Sequence, residues 1–258
     1  MGIIGGTLRL PLPFGRTILV SNQITNEDGD VKYTPEIIKG PIFSSKPFRA
    51  ICKVTTNHGQ GTGFLLKIWD KEMKVPIYGL MTCHHICPQF MFKQRNISFE
   101  FQSIKLITKS SMLFDERDQS IFYDTDLDVT FFYLSENSLL LKTEGLVFLE
   151  PEEIDERMDI AVFQHTWLDE VTLSVGNIAG TISDKTAYIK HTACTLQGSS
   201  GAPIVCATGK VVAMHAGAGE RENIGIKMGY MELAILKHFK GIFYKTRAGF
   251  GELSFQGI

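Results

Sequence analysis

The sequence predicts an all-β fold, a barrel or a sandwich, followed by one helix near the C-terminal end. The main observation is a long series of short apolar or alternating runs, each bounded by Gly, Asn, Asp or Ser. Short strands separated by turn signals are typical of barrels and sandwiches. The chain has 258 residues, 44% of them hydrophobic and 21% charged, so it can bury a full core in one two-lobed domain or in two small ones.

The elements follow one another in two series. Turn formers are concentrated in residues 8–45, so we interpret residues 1–45 as an extended N-terminal arm rather than a separate domain. A first lobe, residues 46–145, contains predicted strands at Arg49–Thr55, Gly63–Ile68, Ile77–Thr82, Ile97–Phe101, Ser103–Ile107 and Val129–Leu134. A second lobe, residues 146–245, contains predicted strands at Ile160–Gln164, Thr172–Val175, Thr186–Lys190, Ala202–Cys206, Val211–His215 and Ile224–Met228.

The second lobe ends in a predicted helix, and residues 246–258 form a tail. Within Tyr230–Phe239, the spacing of Leu233, Leu236 and Phe239 predicts one apolar helix face. We therefore expect these three side chains to pack against the β lobes.

The strongest chemical signal is the segment Gly198-Ser199-Ser200-Gly201, which leads directly into an apolar strand. Ser200 is the candidate nucleophile. A serine hydroxyl needs a base within hydrogen-bond reach and backbone donors for the oxyanion that its attack creates. Because glycine adopts backbone angles closed to other residues, the amides of Gly198 and Ser200 can point at one oxygen and form an oxyanion hole.

Upstream, Gly61–Leu66 and Gly79–Ile86 have the pattern of two strands, the second ending in a turn that carries His84 and His85. This order of histidine, acid and Gly-x-Ser-Gly-x-Pro resembles the chymotrypsin-like (trypsin-fold) serine peptidases over roughly residues 45–245. The resemblance implies two six-stranded-type β-barrel lobes with the active site between them and a C-terminal helix. It also makes His85 the general base, because Thr82-Cys83-His84-His85 aligns with the family's Thr-Ala-Ala-His.

Three residues compete for the acid that orients the histidine. Asp128 and Asp159 each precede an apolar run similar to the family's Asp-Ile-Ala-Leu-Leu, and Asp126 is a third alternative. The local match favours Asp159. Spacing favours Asp128, because its position leaves room for the strands that each lobe requires, whereas Asp159 lies at the entrance to the second lobe. We expect Asp128 to be the acid.

The resemblance also suggests which substrate residue precedes the cut. Cys194 stands where trypsins have the acid that receives Lys or Arg, so a basic residue is disfavoured. Thr195 and His215 resemble the pocket of the glutamyl endopeptidases and of the picornaviral chymotrypsin-like cysteine proteases, which implies Glu or Gln, with Gln ahead if His215 is neutral. The backbone of residues 216–218 (Ala216, Gly217 and Ala218) is expected to pair with the substrate as an added strand.

Together these features predict a serine endopeptidase that works through an acyl-enzyme and needs no metal or organic cofactor. A metal site built from Cys83, His84, His85 and Cys87 is disfavoured, since successive side chains of a strand point to opposite faces. The alternative from another class is a catalytically silent or latent trypsin-fold module that binds peptides or serves as a scaffold.

Composition bears on partners and location. The net charge of −2, without a long basic run, gives no electrostatic footprint for nucleic acid, and no apolar run is long enough for a membrane span. Five cysteines are an odd number without paired spacing, which indicates a reducing compartment. With no secretory signal pattern, we expect a soluble cytoplasmic enzyme acting on proteins or peptides. The sequence gives no indication of its oligomeric state.

Overall fold

The computed structural model describes residues 15–25, 31–41, 46–94, 97–109, 120–166, 171–181, 186–219 and 222–251. Within these ranges, nearly all regular structure is β-strand, arranged in two sheets with a single long helix at the C-terminal end. The predicted all-β fold of two barrel-type lobes with a C-terminal helix is confirmed.

The first sheet contains seven strands from the first lobe. In chain order they are β3 (Ile51–Thr56), β4 (Gly59–Asp70), β5 (Val75–Cys83), β6 (Ser98–Phe101), β7 (Leu106–Lys109), β8 (Ile121–Asp124) and β9 (Val129–Tyr133). Their spatial order is β7-β6-β3-β4-β5-β9-β8, and every pairing is antiparallel. Short helical segments lie at Lys46–Ala50, Gln89–Gln94 and Leu139–Lys142.

The second sheet closes on itself. Its strands are β10 (Asp159–His165), β11 (Val171–Thr181), β12 (Tyr188–His191), β13 (Pro203–Cys206), β14 (Val211–Ala218) and β15 (Asn223–Lys227). The order β10-β13-β14-β15-β12-β11 returns to β10 through a β10–β11 pairing, so these six strands form a closed barrel.

The N-terminal arm contributes two further strands to the second sheet. They are β1 (Gly15–Thr25) and β2 (Val31–Pro41). β1 pairs in parallel with β11, and β2 pairs antiparallel with β1 as a hairpin partner. Sequence analysis did not predict these strands, because the arm is rich in turn formers.

The two lobes share one apolar core. A single cluster of buried side chains contains Phe64 and Phe131 from the first sheet together with Phe163, Val205 and Met214 from the barrel. Each lobe also has a core of its own. Because close-packed interiors resist deformation, the shared core fixes the position of the groove between the lobes.

The C-terminal helix (Met228–Gly251) packs on this shared core through Met231, Ile235 and Phe239, all of them buried. The predicted apolar face was wrong at Leu233, which is 69% exposed, while Leu236 is partly buried. The buried stripe follows an i, i+4, i+8 spacing that begins at Met231, and Leu233 falls outside it. Within the described ranges, none of the helices combines the length and apolar character of a membrane span.

Candidate active site

The turn just before Ser200 has a conformation that only glycine adopts easily. The N–H of Ser199 donates to the carbonyl of Leu196 at 3.0 Å, which closes a four-residue turn. Gly198, the third residue of this turn, has a φ of +99°, whereas Gln197 is not among the residues with positive φ. A positive φ at the third position alone is the signature of a type II turn. Among the described residues, neither Gly198 N–H nor Ser200 N–H donates to a protein acceptor.

Ser200 lies between this turn and β13. The next residue, Gly201, has a φ of +86°, and a Cβ there would lie 2.1 Å from the carbonyl oxygen of Thr62. Its N–H donates to the carbonyl of His215 at 2.8 Å. The half-buried Ser200 hydroxyl points along the same edge, with Oγ 3.5 Å from the carbonyl oxygen of Ala216.

His85 and Asp128 come together because of strand pairing. β5 and β9 are antiparallel neighbours with Cys83 opposite Val129, so the residues just after β5 lie beside the residue just before β9. Asp128 has a φ of +52°, a left-handed conformation that aspartate tolerates better than most residues. Its Oδ2 lies 2.7 Å from His85 Nδ1, and its Oδ1 accepts the backbone N–H of His85 at 2.8 Å.

The two other candidate acids lie elsewhere. Asp159, at the start of β10, accepts a hydrogen bond from the side-chain amide of Asn177. Asp126 is exposed, and its carbonyl accepts a hydrogen bond from the Tyr188 hydroxyl at 2.7 Å. Among the described residues, neither carboxylate is hydrogen bonded to His85.

The candidate residues from both lobes line one open cleft of about 890 Å³. Its walls include His85, Thr195, Gly198, Ser200, His215 and Gly217. The histidine and the serine thus face the same space, but among the described residues the Ser200 hydroxyl lies against the carbonyl of Ala216 and is not hydrogen bonded to His85. Proton transfer between them requires the two side chains to come within hydrogen-bond reach when substrate binds.

On one wall of the cleft, the hydroxyl of Thr195 is directed by Asn223. Asn223 Nδ2 donates to the carbonyl of Ala193 at 2.7 Å, which turns its Oδ1 toward Thr195. The Thr195 hydroxyl donates to that oxygen at 2.9 Å. Since a hydroxyl has one hydrogen and two lone pairs, Thr195 is left as a hydrogen-bond acceptor.

His215 is paired with a second buried histidine. Nδ1 of His215 lies 3.2 Å from Nε2 of His191 on β12, and the rings meet edge to face. Burial lowers the pKa of His191 to about 4. Burial, then the neighbouring His191 and His85, lowers the pKa of His215 well below its usual value. Both rings are therefore neutral near pH 7.

Residues 216–218, the last three of β14, lie along the cleft beyond the pairing of β14 with β13. The β13–β14 register ends at Pro203 and Met214, whereas Gly217 and Ala218 still pair with β15 on the other side. A Cβ on Gly217 would meet nothing within 4 Å. Among the described residues, this edge is open for an extended peptide.

Among the residues that the structure describes, Cys83, His85 and Asp128 form a cluster of potential metal ligands whose ligand atoms lie within 4.8 Å of one another. A metal-bound cysteine must be a thiolate. Burial, followed by the charge of Asp128, raises the pKa of Cys83 well above its usual range, so the thiolate is strongly disfavoured there. Cys87 lies in the separate core of the first lobe.

Sequence analysis overlooked three residues that this geometry brings to the site. Thr62 contacts Gly198 in the turn Leu196–Ser199, which we call the oxyanion turn because it contains a candidate oxyanion-hole residue. His191 contacts His215, and Asn223 orients Thr195. Thr62 stands between two glycines, an available signal that a backbone approaches closely. His191 and Asn223 carry no local signal, because strand pairing alone brings them to the pocket.

The two packed β lobes define the double β-barrel fold of the chymotrypsin-like peptidases. The family model described as "Trypsin-like peptidase domain" matches residues 61–214, more than half of the chain, and the chain belongs to that family. Its fold supports a serine endopeptidase, with peptides or proteins as substrates.

Solved structures agree with this fold. The inactive form of the Rv3671c protease of M. tuberculosis is 16% identical, with a TM-score of 0.53 over 75% of this chain and 90% of that chain. A serine endoprotease from Yersinia pestis is 13% identical, with a TM-score of 0.54 over 76% of this chain and 64% of that one. A structure described as showing coupled folding and binding of the disordered Sesbania mosaic virus VPg protein is 20% identical, with a TM-score of 0.55 over 71% and 88%. No curated protein sequence matches the chain.

Proposed function

We propose that the protein is an endopeptidase that cleaves peptide bonds through a Ser200-His85-Asp128 triad. The observation that carries this proposal is the pair of hydrogen bonds from His85 to Asp128, at 2.7 and 2.8 Å, together with the position of His85 and Ser200 on the same cleft. The 2.7 Å contact holds His85 with its hydrogen on Nδ1, which leaves Nε2 as the base. We propose residues 46–145 and 146–245 as the two lobes, with residues 1–45 as an arm and residues 246–258 as a tail.

We propose the following reaction for these residues. His85 takes the proton of Ser200, the serine oxygen attacks the scissile carbonyl, and the amides of Gly198 and Ser200 bind the resulting oxyanion. His85 then protonates the leaving amine, and water enters to release the acyl group from Ser200. Asp128 stabilises the imidazolium without being protonated. The residues present account for every proton transfer, and we propose no metal or organic cofactor.

The pocket chemistry supports glutamine before the cut. In the neutral histidine pair, one hydrogen is shared between His191 Nε2 and His215 Nδ1. If that hydrogen belonged to His215, His191 would carry its own on Nδ1, which is buried without a protein partner among the described residues. Since orphaned buried N–H groups are rare and costly, the favoured arrangement has His191 donating and His215 carrying its hydrogen on Nε2.

The pocket then offers one donor, His215 Nε2–H, and one acceptor, the Thr195 hydroxyl. A glutamine side chain matches this pair, because its carbonyl oxygen accepts and its amide group donates. A glutamate carboxylate would face the lone pairs of Thr195 with no cation from either neutral histidine, and an unpaired charge is costly to desolvate. We therefore propose cleavage after Gln in preference to Glu.

The substrate is proposed to bind as an extended strand along residues 216–218, whose edge toward the cleft lies beyond the pairing with β13. All five cysteines are free and buried, which supports our proposal of a reducing, cytoplasmic setting.

The test is cleavage of proteome-derived peptides by the purified protein and by its Ser200→Ala variant, with new termini identified by mass spectrometry. Cuts after Gln that vanish in the variant support the nucleophile and the pocket together. Cuts after unrelated residues would retain the triad and overturn the pocket. Absence of cleavage, together with failure of Ser200 to react with a fluorophosphonate probe, would favour a silent peptide-binding module.

A further inference from the structure

Thr62 lies in β4, opposite Lys53 of β3, and makes hydrogen bonds with residues of the second lobe. Its side chain is fully buried. Its hydroxyl donates to the carbonyl of Gly198 at 2.9 Å and accepts the backbone N–H of His165 at 2.9 Å. Its own backbone N–H donates to the carbonyl of Ser200 at 2.8 Å.

These contacts hold the same two residues whose N–H groups are proposed to bind the oxyanion. The carbonyl of Gly198 is held by the Thr62 side chain, and that of Ser200 by the Thr62 backbone. The peptide unit that joins Gly198 to Ser199 is thus fixed at both ends, since its N–H donates to Leu196. With that plane fixed, the N–H groups of Gly198 and Ser200 remain available to the cleft.

The hydroxyl has little freedom to reorient. The carbonyl oxygen of His165 lies 3.4 Å from Thr62 Oγ1, too far to compete well with Gly198 O for the single hydrogen. The Thr62 carbonyl in turn accepts the hydroxyl of Thr82 on β5 at 2.8 Å. Thr62 is therefore anchored in the first lobe, while its hydroxyl makes its hydrogen bonds, among the described residues, with residues of the second.

We propose that Thr62 is a positioning residue, through which the first lobe holds the oxyanion turn of the second lobe in its competent conformation. The proposal rests on the proposed serine peptidase function and adds a residue to it. Any shift of the lobes that breaks the bond from Thr62 to Gly198 releases the turn, so formation of the oxyanion hole depends on correct docking of the lobes.

Substitution at Thr62 provides the test. Thr62→Val keeps the shape and removes the hydroxyl, and Thr62→Ser restores it. Thr130→Val is the matched control, because Thr130 is also fully buried and donates to a backbone carbonyl, that of Cys87, within the first lobe. For each variant, the measurements are kcat, KM, thermal stability and the affinity for a peptide aldehyde, whose adduct with Ser200 carries an oxyanion.

We expect Thr62→Val to lower kcat by roughly ten- to a hundredfold with KM changed by less than about threefold, because small misplacement of donors is costly. Aldehyde affinity should fall by the same factor, while affinity for the same peptide with a C-terminal amide, which forms no adduct with Ser200, stays constant. Thr62→Ser should recover most of kcat, and Thr130→Val should affect thermal stability only. Unchanged kcat in Thr62→Val, or equal loss in Thr62→Ser, would overturn the proposal.

Hydrogen exchange separates this proposal from the proposed function. If the wild-type protein neither cleaves peptides nor reacts with a fluorophosphonate, the proposed function fails but this test still applies. The backbone amides of residues 196–201 should exchange faster in Thr62→Val than in Thr130→Val. Equal exchange in these two variants would show that Thr62 does not hold the turn.

Discussion

Replacing Asp128 by asparagine tests the triad most directly, because the two oxygens of its carboxylate have different tasks. Oδ1 accepts the backbone N–H of His85 at 2.8 Å, and Oδ2 faces His85 Nδ1 at 2.7 Å. In Asp128→Asn the remaining oxygen stays with the backbone N–H, so the new NH₂ group faces Nδ1. A donor there forces the hydrogen of His85 onto Nε2, where it blocks acceptance of the Ser200 proton.

The size of the effect has two parts. An imidazolium and a carboxylate about 2.7 Å apart attract by roughly 6 kcal/mol at an effective dielectric constant near 20. His85 and Asp128 are 46% and 27% exposed, so we halve this to about 3 kcal/mol for solvent screening. If the new side-chain amide rotates so that its oxygen faces Nδ1, His85 regains the tautomer with its hydrogen on Nδ1. This rotation breaks the hydrogen bond from the His85 backbone N–H, which costs about 2 kcal/mol. Together these predict a loss in kcat of roughly 10³ to 10⁴.

The assay compares kcat on a peptide with Gln before the cut, and the rate of fluorophosphonate labelling of Ser200, in wild type, Asp128→Asn and Asp159→Asn. Asp159 is the matched control because its carboxylate bonds to Asn177 rather than to His85. We expect the Asp159 variant to keep kcat within about threefold, as for a surface substitution. A large loss in Asp159→Asn with retention in Asp128→Asn would refute the assignment of the acid.

The remaining predictions concern the oxyanion turn, the pocket and acid stability. Gly198→Ala should lower kcat by about a hundredfold or more, because φ is +99° and the new Cβ lies 3.0 Å from a carbonyl oxygen; Gly209→Ala, with φ of +78° and open space, controls for backbone strain in the same kinetic assay. Thr195→Val should lower kcat/KM about tenfold or more for Gln peptides and less for Glu peptides, measured with matched pairs; equal losses would argue against an acceptor role. The pKa of His191 is about 4 in the folded chain and near 6.5 when unfolded, so the unfolded state binds the proton first and the free energy of unfolding should fall by about 3 kcal/mol from pH 7 to pH 4. The free energy of unfolding, measured with urea, should depend less on pH in His191→Gln than in wild type. An equal pH dependence in the two proteins would contradict the assigned pKa.

The strand pattern could be predicted because many strands are buried over several consecutive residues, which makes their sequences apolar. The runs at β4, β5, β10 and β14 are long and apolar, and the structure places a strand at each of them. The strand at Ile121–Asp124 was missed, since it has only four residues and contains an exposed tyrosine and an aspartate. The strands at residues 15–25 and 31–41 were missed because the arm is rich in turn formers and because the pairing of β1 with β11 leaves no local pattern.

The site was predictable to the extent that its residues have local signatures. Ser200 was predicted from its flanking glycines, and His85 from the resemblance of Thr82-Cys83-His84-His85 to the family's Thr-Ala-Ala-His. Choosing between Asp128 and Asp159 from sequence required an argument about spacing, because both precede an apolar strand. The pairing of β5 with β9 is the fact that places Asp128 against His85, and it is a property of the fold rather than of either segment.

Two buried polar groups lie behind the site, one within the second lobe and one that joins the two lobes. His191 on β12 reaches His215 on β14 across β15, and Thr62 of the first lobe reaches Gly198 of the second. Each is a buried polar residue whose hydrogen bond directs a group in the cleft, and buried polar groups are stable only when such partners are in place. Specificity for glutamine and stabilisation of the oxyanion should therefore be lost separately, the first by changes at His191 and the second by changes at Thr62.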